Sequence, residues 1–365
     1  MRSALKLACV RLRTCGGFPS TKFVYSGSGS CTVGNTHRQT LFAPCQIREF
    51  HDLNGHKLID GKSIAKRMRM EVKRDAKELE DAGFKLKLVS ITFGQDAADG
   101  PIGRYVRNQR NVARKCGIEF EEVILSASIQ KTDFVKTLEG LNTDPRISGV
   151  IMQRPFPEHL CVEEIQQCIH PLKDVEGMHP SSIGSVLYNE TDLAPCTAKA
   201  AVACLKSTAL AKNGLRGLEC VVVGHSEIVG KPISFILMGE GATVTTCHHM
   251  TKDLGMHTRK ADAVFIAVGK PGLIRGDMLK PGAAVVDVGI NPVVTESGEH
   301  TIVGDADFKS CIETAGWITP VPGGVGPITT AILMQNTVLA GKAQRRRYEA
   351  AFGPSHTSNN VYLQT

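Results

Sequence analysis

Gly224-His225-Ser226-Glu227-Ile228-Val229-Gly230-Lys231-Pro232 follows directly on the apolar run Cys220 to Val223 and opens a helix. A glycine turn between a strand and a helix is where a pyrophosphate rests on helix N-terminal amides, so the segment reads as a dinucleotide turn. The match to the usual pattern is incomplete, because Ser226 and Val229 stand where its second and third glycines would be. A tight turn without a ligand fits the same residues. Sites for an unphosphorylated dinucleotide usually carry an acid at the end of the second strand to bind the ribose hydroxyls. Here that region reads Cys247-His248-His249-Met250, with no acid before Asp253. His225 and His249 either face a ribose 2′-phosphate, which favours NADP with NAD as the alternative, or are loop residues in water. Two adjacent histidines without further ligands at suitable spacing make no metal site, and none is expected. Ala267-Val268-Gly269-Lys270-Pro271-Gly272 and Asp287-Val288-Gly289-Ile290-Asn291 each end a strand with glycine, and either line the nicotinamide end or are ordinary turns. The cofactor set is Gly224, His225, Ser226, Ile228, Val229, Gly230, His249, Ala267, Val268, Gly269 and Ile290.

These loops need a scaffold, and apolar periodicity supplies one. Ile64, Met68, Val72, Ala76 and Leu79 recur at helical spacing from Asp60 to a stop at Gly83. Leu86 to Phe93 reads as a strand, Tyr105 to Lys115 as a helix, Phe134, Leu138 and Leu141 as another helix, and Gly149 to Gln153 as a strand. The second half alternates more clearly. Glu219 to Val223, Thr243 to Cys247, Ala263 to Val268, Ala284 to Val288 and Ile318 to Val321 are compact runs of the kind found in buried parallel strands. Pro195 to Lys206 links the halves as a helix, Ile328 to Ala340 is a final apolar helix, and the polar tail from Gln344 is expected to be disordered. The fold class is α/β, with parallel sheets covered on both faces.

The chain of 365 residues exceeds one ordinary core. It has no run of 18 apolar residues, and membrane association is not expected. Its twelve cysteines form no CxxC pair, which argues against a zinc ribbon or a disulfide framework. The net charge of +7 gathers much of its excess at the ends, so no nucleic-acid partner is inferred. Before Glu49 there is no acid, whereas Arg2, Lys6, Arg11, Arg13, Lys22, Arg38 and Arg48 are basic. Residues 1–50 are similar to a mitochondrial transit peptide, the alternatives being a disordered extension and a cytoplasmic protein.

Asp60-Gly61-Lys62, Gly149-Val150-Ile151-Met152-Gln153, Lys173-Asp174-Val175, Pro195-Cys196-Thr197, Val268-Gly269-Lys270-Pro271-Gly272, Asp287-Val288-Gly289-Ile290-Asn291, Gly304-Asp305 and Pro320-Val321-Pro322-Gly323-Gly324-Val325-Gly326-Pro327 occur in this order. The series resembles the methylenetetrahydrofolate dehydrogenase/cyclohydrolase family from about Leu53 to Ala340. The resemblance implies a homodimer whose subunits pair a three-layer α/β catalytic domain, 51–198 and 324–343, with a Rossmann-type dinucleotide-binding domain, 199–323. The last helix returns to the first domain, a tail 344–365 follows, and a tetrahydrofolate derivative lies in the cleft. It also implies that Pro322, Gly323, Gly324, Val325 and Gly326 border the folate.

The family pattern Ser-x-x-Tyr-x-x-x-Lys supplies a tyrosine against the folate and a catalytic lysine one turn on. This chain keeps Tyr105 but has Ile102 for the serine and Gln109 for the lysine, Arg107 and Arg110 being the substitutes if the register shifts. Positions i and i+4 share a helix face, which favours Gln109. Gln153 matches the family's glutamine, Arg154 replaces a leucine, and Glu176 replaces the pterin-binding aspartate. By resemblance the catalytic set is Tyr105, Gln109, Gln153 and Glu176, and Tyr105, Arg154 and Glu176 also bind substrate. Arg154 either pairs with Glu176, compensates for the lysine, or faces solvent. Hydride removal from 5,10-methylenetetrahydrofolate rests on proximity and orientation, whereas hydrolysis of the methenyl product needs proton transfer that glutamine cannot supply. The expectation is an NADP-dependent dehydrogenase with weak or lost cyclohydrolase activity. A fully bifunctional enzyme and a catalytically silent folate- or dinucleotide-binding paralogue are the alternatives.

Overall fold

The computed structural model describes residues 57–94, 100–294, 298 and 300–353. The transit-like segment and the residues after Gly353 lie outside these. The chain runs β1 Lys57–Leu58, α1 Gly61–Asp81, β2 Lys87–Phe93, α2 Pro101–Lys115, β3 Glu119–Leu125, α3 Lys131–Thr143, β4 Gly149–Met152, α4 Val162–Gln166, α5 Pro180–Leu187 and α6 Cys196–Lys206. It continues with β5 Glu219–Val223, α7 Gly230–Gly239, β6 Thr243–Cys247, α8 Leu254–Thr258, β7 Ala263–Ile266, β8 Ala284–Asp287, β9 Asn291–Val294, β10 His300–Val303, α9 Phe308–Thr314, β11 Trp317–Ile318 and α10 Val325–Phe352.

Two parallel sheets result. The first orders its strands β3-β2-β4. Alternate side chains of β2 serve opposite faces, Leu88 joining a core with α1 and α10 while Val89 and Ile91 pack with Phe134 and Leu138 of α3. The second sheet is ordered β1-β11-β8-β7-β5-β6. Leaving aside β1, which comes from before the first sheet, this is the doubly wound 2-1-3-4-5 order. Its switch point lies at the carboxyl ends of β5 and β7, where the Gly224 and Ala267 loops begin. The two strands share a register from Cys220 opposite Ala263 to Val223 opposite Ile266.

Helix α10 ties the halves together. Ile328, Ala331, Ile332 and Met334 share one buried cluster with Ile64 and Val72 of α1 and Ala201 and Leu205 of α6. The expected return of the last helix to the first lobe is therefore observed. Its end is a correction: α10 passes through Gln344 to Phe352 instead of giving way to disorder at 344. Polar tethers explain this. Gln344 Nε2 donates to the carbonyls of Ser148 at 2.8 Å and Leu172 at 3.0 Å, and Lys342 pairs with Asp75 at 2.7 Å. The run Ile318 to Val321 is strand only at Trp317–Ile318, because the Thr319 hydroxyl then takes the Asp287 N–H at 2.8 Å.

Candidate active site

Helix α2 begins with a proline at its first turn and buries Val106, Val112 and Ala113 in the first lobe. Tyr105 and Gln109 fall one turn apart on the face toward the cleft. Gln109 is only 2% exposed. Its Oε1 accepts from Gln153 Nε2 at 2.9 Å, and the same nitrogen donates to Ser90 Oγ at 2.9 Å. The Gln109 and Thr330 side chains hydrogen-bond the Tyr105 hydroxyl, whose pKa is pushed up to about 12, chiefly by burial. Although the tyrosine as a whole is 43% exposed along the cleft, the hydroxyl end is enclosed. The array Tyr105-Gln109-Gln153-Ser90 is therefore uncharged at neutral pH. Arg110 is paired instead with Glu122 of β3.

Glu176 reaches the cleft from a loop shaped by its neighbour. The buried Asp174 carboxylate accepts from the amides of Gly177 at 3.0 Å, Met178 at 3.1 Å and His179 at 2.7 Å, and from the Ser182 hydroxyl at 2.7 Å. Gly177 takes φ +78, and a Cβ there would lie 2.5 Å from the Leu193 carbonyl oxygen. Burial pushes the Glu176 carboxyl up to about 7, the Asp174 charge adds to the rise, and Arg154 opposes it. Arg154 is exposed and stands 5.8 Å from the Phe156 ring centroid. Among the described residues it forms no direct ion pair with Glu176 and acts on it through its field. Asp174→Ala would strand several amides at once and is expected to cost about 3 kcal/mol in a denaturant titration. A loss below about 1 kcal/mol would mean that Asp174 does not hold this loop.

The cleft is lined by Tyr105, Gln109, Gln153, Arg154 and Glu176 together with Ile151, Met178, Pro195, Cys196, Thr197, Ile228, Val229, Thr329 and Leu333. Four of the expected catalytic residues thus meet Ile228 and Val229 of the expected dinucleotide turn. Pro322, Gly323, Gly324, Val325 and Gly326 are not in this wall. They form the joint between β11 and α10, where Gly324 packs against Gly61. Sequence reasoning does not find Thr329 and Leu333, farther along α10, or Cys196 and Thr197 as cleft residues, nor Ser90 and Thr330, which are buried behind the cleft and hold Gln153 and Tyr105. Pro195-Cys196-Thr197 was visible as a motif, whereas the others carry only the apolar or small-residue pattern of a core.

The dinucleotide turn is a backbone cradle. Gly224 has φ +117, and a Cβ there would lie 2.3 Å from the Ala267 carbonyl oxygen. One at Gly230 would lie 2.1 Å from the Gly224 carbonyl oxygen. The effective glycine pair is therefore Gly224 and Gly230, and α7 starts at the second of them. Ser226 holds the turn through its carbonyl, which accepts from Lys231 N at 3.0 Å. A close backbone turn ahead of a helix, at the point where strand order reverses, fits a pyrophosphate. Val268 and Gly269 donate their amides to Asp305 Oδ2 at 2.7 and 2.9 Å. Asp287 accepts from the amides of Gly289, Asp305 and Ala306 at 2.8 to 3.0 Å. These two carboxylates explain the Asp287-Val288-Gly289 and Gly304-Asp305 motifs: they fasten three loops at the carboxyl edge of the sheet. Val268 and Ile290 remain exposed at 43% and 67%, and His225 and His249 are exposed beside His248.

Comparison with known proteins agrees with this geometry. The family model for the catalytic domain of tetrahydrofolate dehydrogenase/cyclohydrolase matches residues 59–176, and that for its NAD(P)-binding domain matches residues 195–345. Bifunctional protein FolD 2 of Mesorhizobium japonicum is 55% identical over 296 residues, which cover 81% of this chain and 94% of that one. The bifunctional FolD methylenetetrahydrofolate dehydrogenase/cyclohydrolase of Campylobacter jejuni, a crystal structure, is 38% identical with a TM-score of 0.73 over 78% of this chain and 98% of that one. The Trypanosoma brucei enzyme, solved with NADP and an inhibitor, is 33% identical with a TM-score of 0.73 over 80% and 99%. With both domains matched and the cleft of the one meeting the nucleotide turn of the other, the chain belongs to the tetrahydrofolate dehydrogenase/cyclohydrolase family, enzymes of folate one-carbon metabolism that work with a nicotinamide dinucleotide.

Proposed function

We propose that the chain is bifunctional, oxidising 5,10-methylenetetrahydrofolate to the 5,10-methenyl form and hydrolysing that to 10-formyltetrahydrofolate, with NADP as the preferred oxidant. The observation that carries this reading is the place of Glu176, a carboxyl lining the cleft with Tyr105, Gln109 and Gln153, which burial pushes up to about 7 so that it can hold or release a proton. The expectation of a lost cyclohydrolase rested on Gln109, which carries no proton to give. Relatives named as bifunctional, at up to 55% identity, favour two activities.

The nicotinamide ring, when bound, accepts the hydride. The protein's own part in that step is orientation: Tyr105 and Leu333 offer flat and apolar surface to the pterin, while Thr330 and Gln109, itself held by Gln153, fix the tyrosine hydroxyl. Ile228 and Val229 bring the dinucleotide turn to the same cleft. In hydrolysis, water adds to the methenyl carbon and loses a proton to give a carbinol; the carbinol hydroxyl then releases its proton to solvent as one carbon–nitrogen bond breaks and that nitrogen gains a proton. Glu176 as carboxylate takes the first proton and as acid returns one to the nitrogen. Arg154 holds part of the population ionised. Homodimers and mitochondrial import belong to this proposal too, the second supported by the acid-free stretch before Glu49.

Purified protein supplied with methylenetetrahydrofolate and either NADP or NAD tests the assignment, with reduced nucleotide, methenyl and formyl products followed separately. Formyl product above the spontaneous rate is expected. Methenyl accumulation without it would instead support the dehydrogenase-only reading that Gln109 favours, and no reduced nucleotide would leave a silent binding protein.

A further inference from the structure

A lysine and an asparagine meet where the loop that carries Glu176 is fastened to α6 and α10. Asn336 of α10 is fully buried, and Lys199 of α6 is half-buried. Lys199 Nζ donates to Asn336 Oδ1 at 2.9 Å and to the Asp192 carbonyl at 2.8 Å, so both acceptors are uncharged. Burial pushes the ammonium down to about 8, with Cys196 and Asp192 opposing, and it stays largely protonated at neutral pH. Taking an ammonium out of water with no carboxylate in contact costs stability, and packing alone would be better served by an apolar side chain.

What the ammonium controls is a direction. A lysine has donors only, so it turns Oδ1 of Asn336 toward itself and aims Nδ2 the other way. That nitrogen donates to the Val175 carbonyl at 2.9 Å and to the Ala194 carbonyl at 3.3 Å. Val175 also accepts from Cys196 Sγ at 3.3 Å, and the Glu176 carbonyl accepts from Cys196 N at 3.2 Å. Two successive carbonyls, those of Val175 and Glu176, are thus tied to α6 and α10, while the Asp174 carboxylate gathers the amides that follow. With the Asn336 amide reversed, an N–H would face the ammonium and an oxygen would face two carbonyls.

We propose that Lys199, by orienting Asn336, is a positioning residue for Glu176 in hydrolysis of the methenyl group, holding the main chain so that the carboxyl stays enclosed against the cleft. The inference rests on the acid–base reading of Glu176. Neither Lys199 nor Asn336 lines the cleft, so their effect on the chemistry travels through the main chain. The charged and titratable groups facing Glu176 are Asp174 on its own loop, Arg154 after β4, Tyr105 on α2 and Cys196 at the head of α6. The turn before α7 and helix α10 present Ile228, Val229, Thr329 and Leu333 to the cleft, none of which titrates. Releasing the tether admits water to the carboxyl, and its pKa falls back toward the ordinary carboxylate value.

Full-length Lys199→Met and Asn336→Leu proteins, assayed for hydride transfer and for methenyl hydrolysis between about pH 5 and 8, test the proposal. Each is expected to lower hydrolysis about tenfold, with hydride transfer reduced less than about threefold. Each should also move the acid limb of the hydrolysis profile down by about one pH unit. The double variant should lose no more than Asn336→Leu alone, because the two side chains act as one unit. Thermal melts at about pH 8 give a reading free of turnover: the rise in melting temperature that Glu176→Gln brings should shrink by about half or more once Lys199 or Asn336 is replaced. Hydrolysis within about twofold of wild type in both variants, an acid limb that does not move, or equal loss of both activities overturns the positioning role and leaves the assignment of Glu176 standing. A wild-type protein that forms no formyl product above the spontaneous rate overturns the acid–base reading and this inference with it.

Discussion

Replacing Glu176 with glutamine is expected to lower methenyl hydrolysis by about 100-fold, the ordinary scale for a positioned acid–base group. Glutamine keeps the length and the hydrogen-bonding oxygen, so pterin placement and hydride transfer should fall less, by about tenfold or under. Stability should move the opposite way. The Glu176 carboxyl is raised to about 7 by burial and by Asp174, from an ordinary value of 4.5. Below about pH 4.5 both folded and unfolded chains are protonated at this position, and burial costs nothing in ionisation. Between about pH 4.5 and 7 only the unfolded chain ionises, so the wild type loses stability progressively as pH rises, and above about pH 7 the penalty is constant. Its ceiling is about 3 kcal/mol. Glu176→Gln should therefore melt higher than the wild type at pH 8 and indistinguishably from it at pH 4. Equal losses of both activities, together with a pH-independent change in melting temperature, would make Glu176 a structural group and remove the acid–base assignment.

The contrast between β5 and β3 shows what could be read without coordinates. Glu219–Val223 was legible to the residue, because a parallel strand covered on both faces must be a continuous apolar or β-branched run, and Thr243–Cys247, although the edge strand of its sheet, was legible because no charge interrupts its β-branched and apolar run. Strand β3, also an edge, escaped because charges interrupt its run. Its glutamates at 119, 121 and 122 break the pattern, and two of them hold Lys87 of β2 at 3.1 and 2.6 Å. The end of α10 escaped for a related reason: Gln344 and Lys342 are fixed by polar contacts to distant segments, which composition reads as solvation. In the cleft, the Tyr105–Gln109 pair follows from helical spacing alone, and the resemblance identified Gln153. That Gln153 donates to Gln109, 44 residues away, depends on how β4 lies beside α2. The raised Glu176 carboxyl depends on its enclosure and on an arginine too far for a salt bridge. Charge type is local information, but a pKa is a property of the packed site.

Gly61→Ala should be the most disruptive glycine-to-alanine change among the described residues. A Cβ at Gly61 would stand 1.7 Å from the Gly324 carbonyl oxygen, 2.5 Å from its carbon and 2.7 Å from the Gly323 carbonyl oxygen. All three are backbone atoms, so no side-chain rotation relieves the overlap. Gly61 opens α1 directly after Asp60, whose carboxylate caps the helix through the amides of Lys62 at 3.0 Å and Ser63 at 3.2 Å. Gly324 caps α10. The two helices that pin the lobes together therefore start backbone against backbone, and a methyl at the contact must either pull α1 off its cap or push the Pro322–Gly326 segment away. Ordinary overpacking costs about 1–3 kcal/mol; with main chain on both sides the loss here should exceed about 4 kcal/mol and leave little folded protein at 37 °C. Gly140 is the counterpart. It is exposed in α3, with no atom within 4 Å of an added Cβ, so Gly140→Ala should raise stability by about 0.5–1 kcal/mol through helix propensity. Thermal melts of the two variants decide the matter. If Gly61→Ala unfolds within about 3 °C of the wild type, the joint is looser than its geometry, and α10 is not clamped to α1 at its origin.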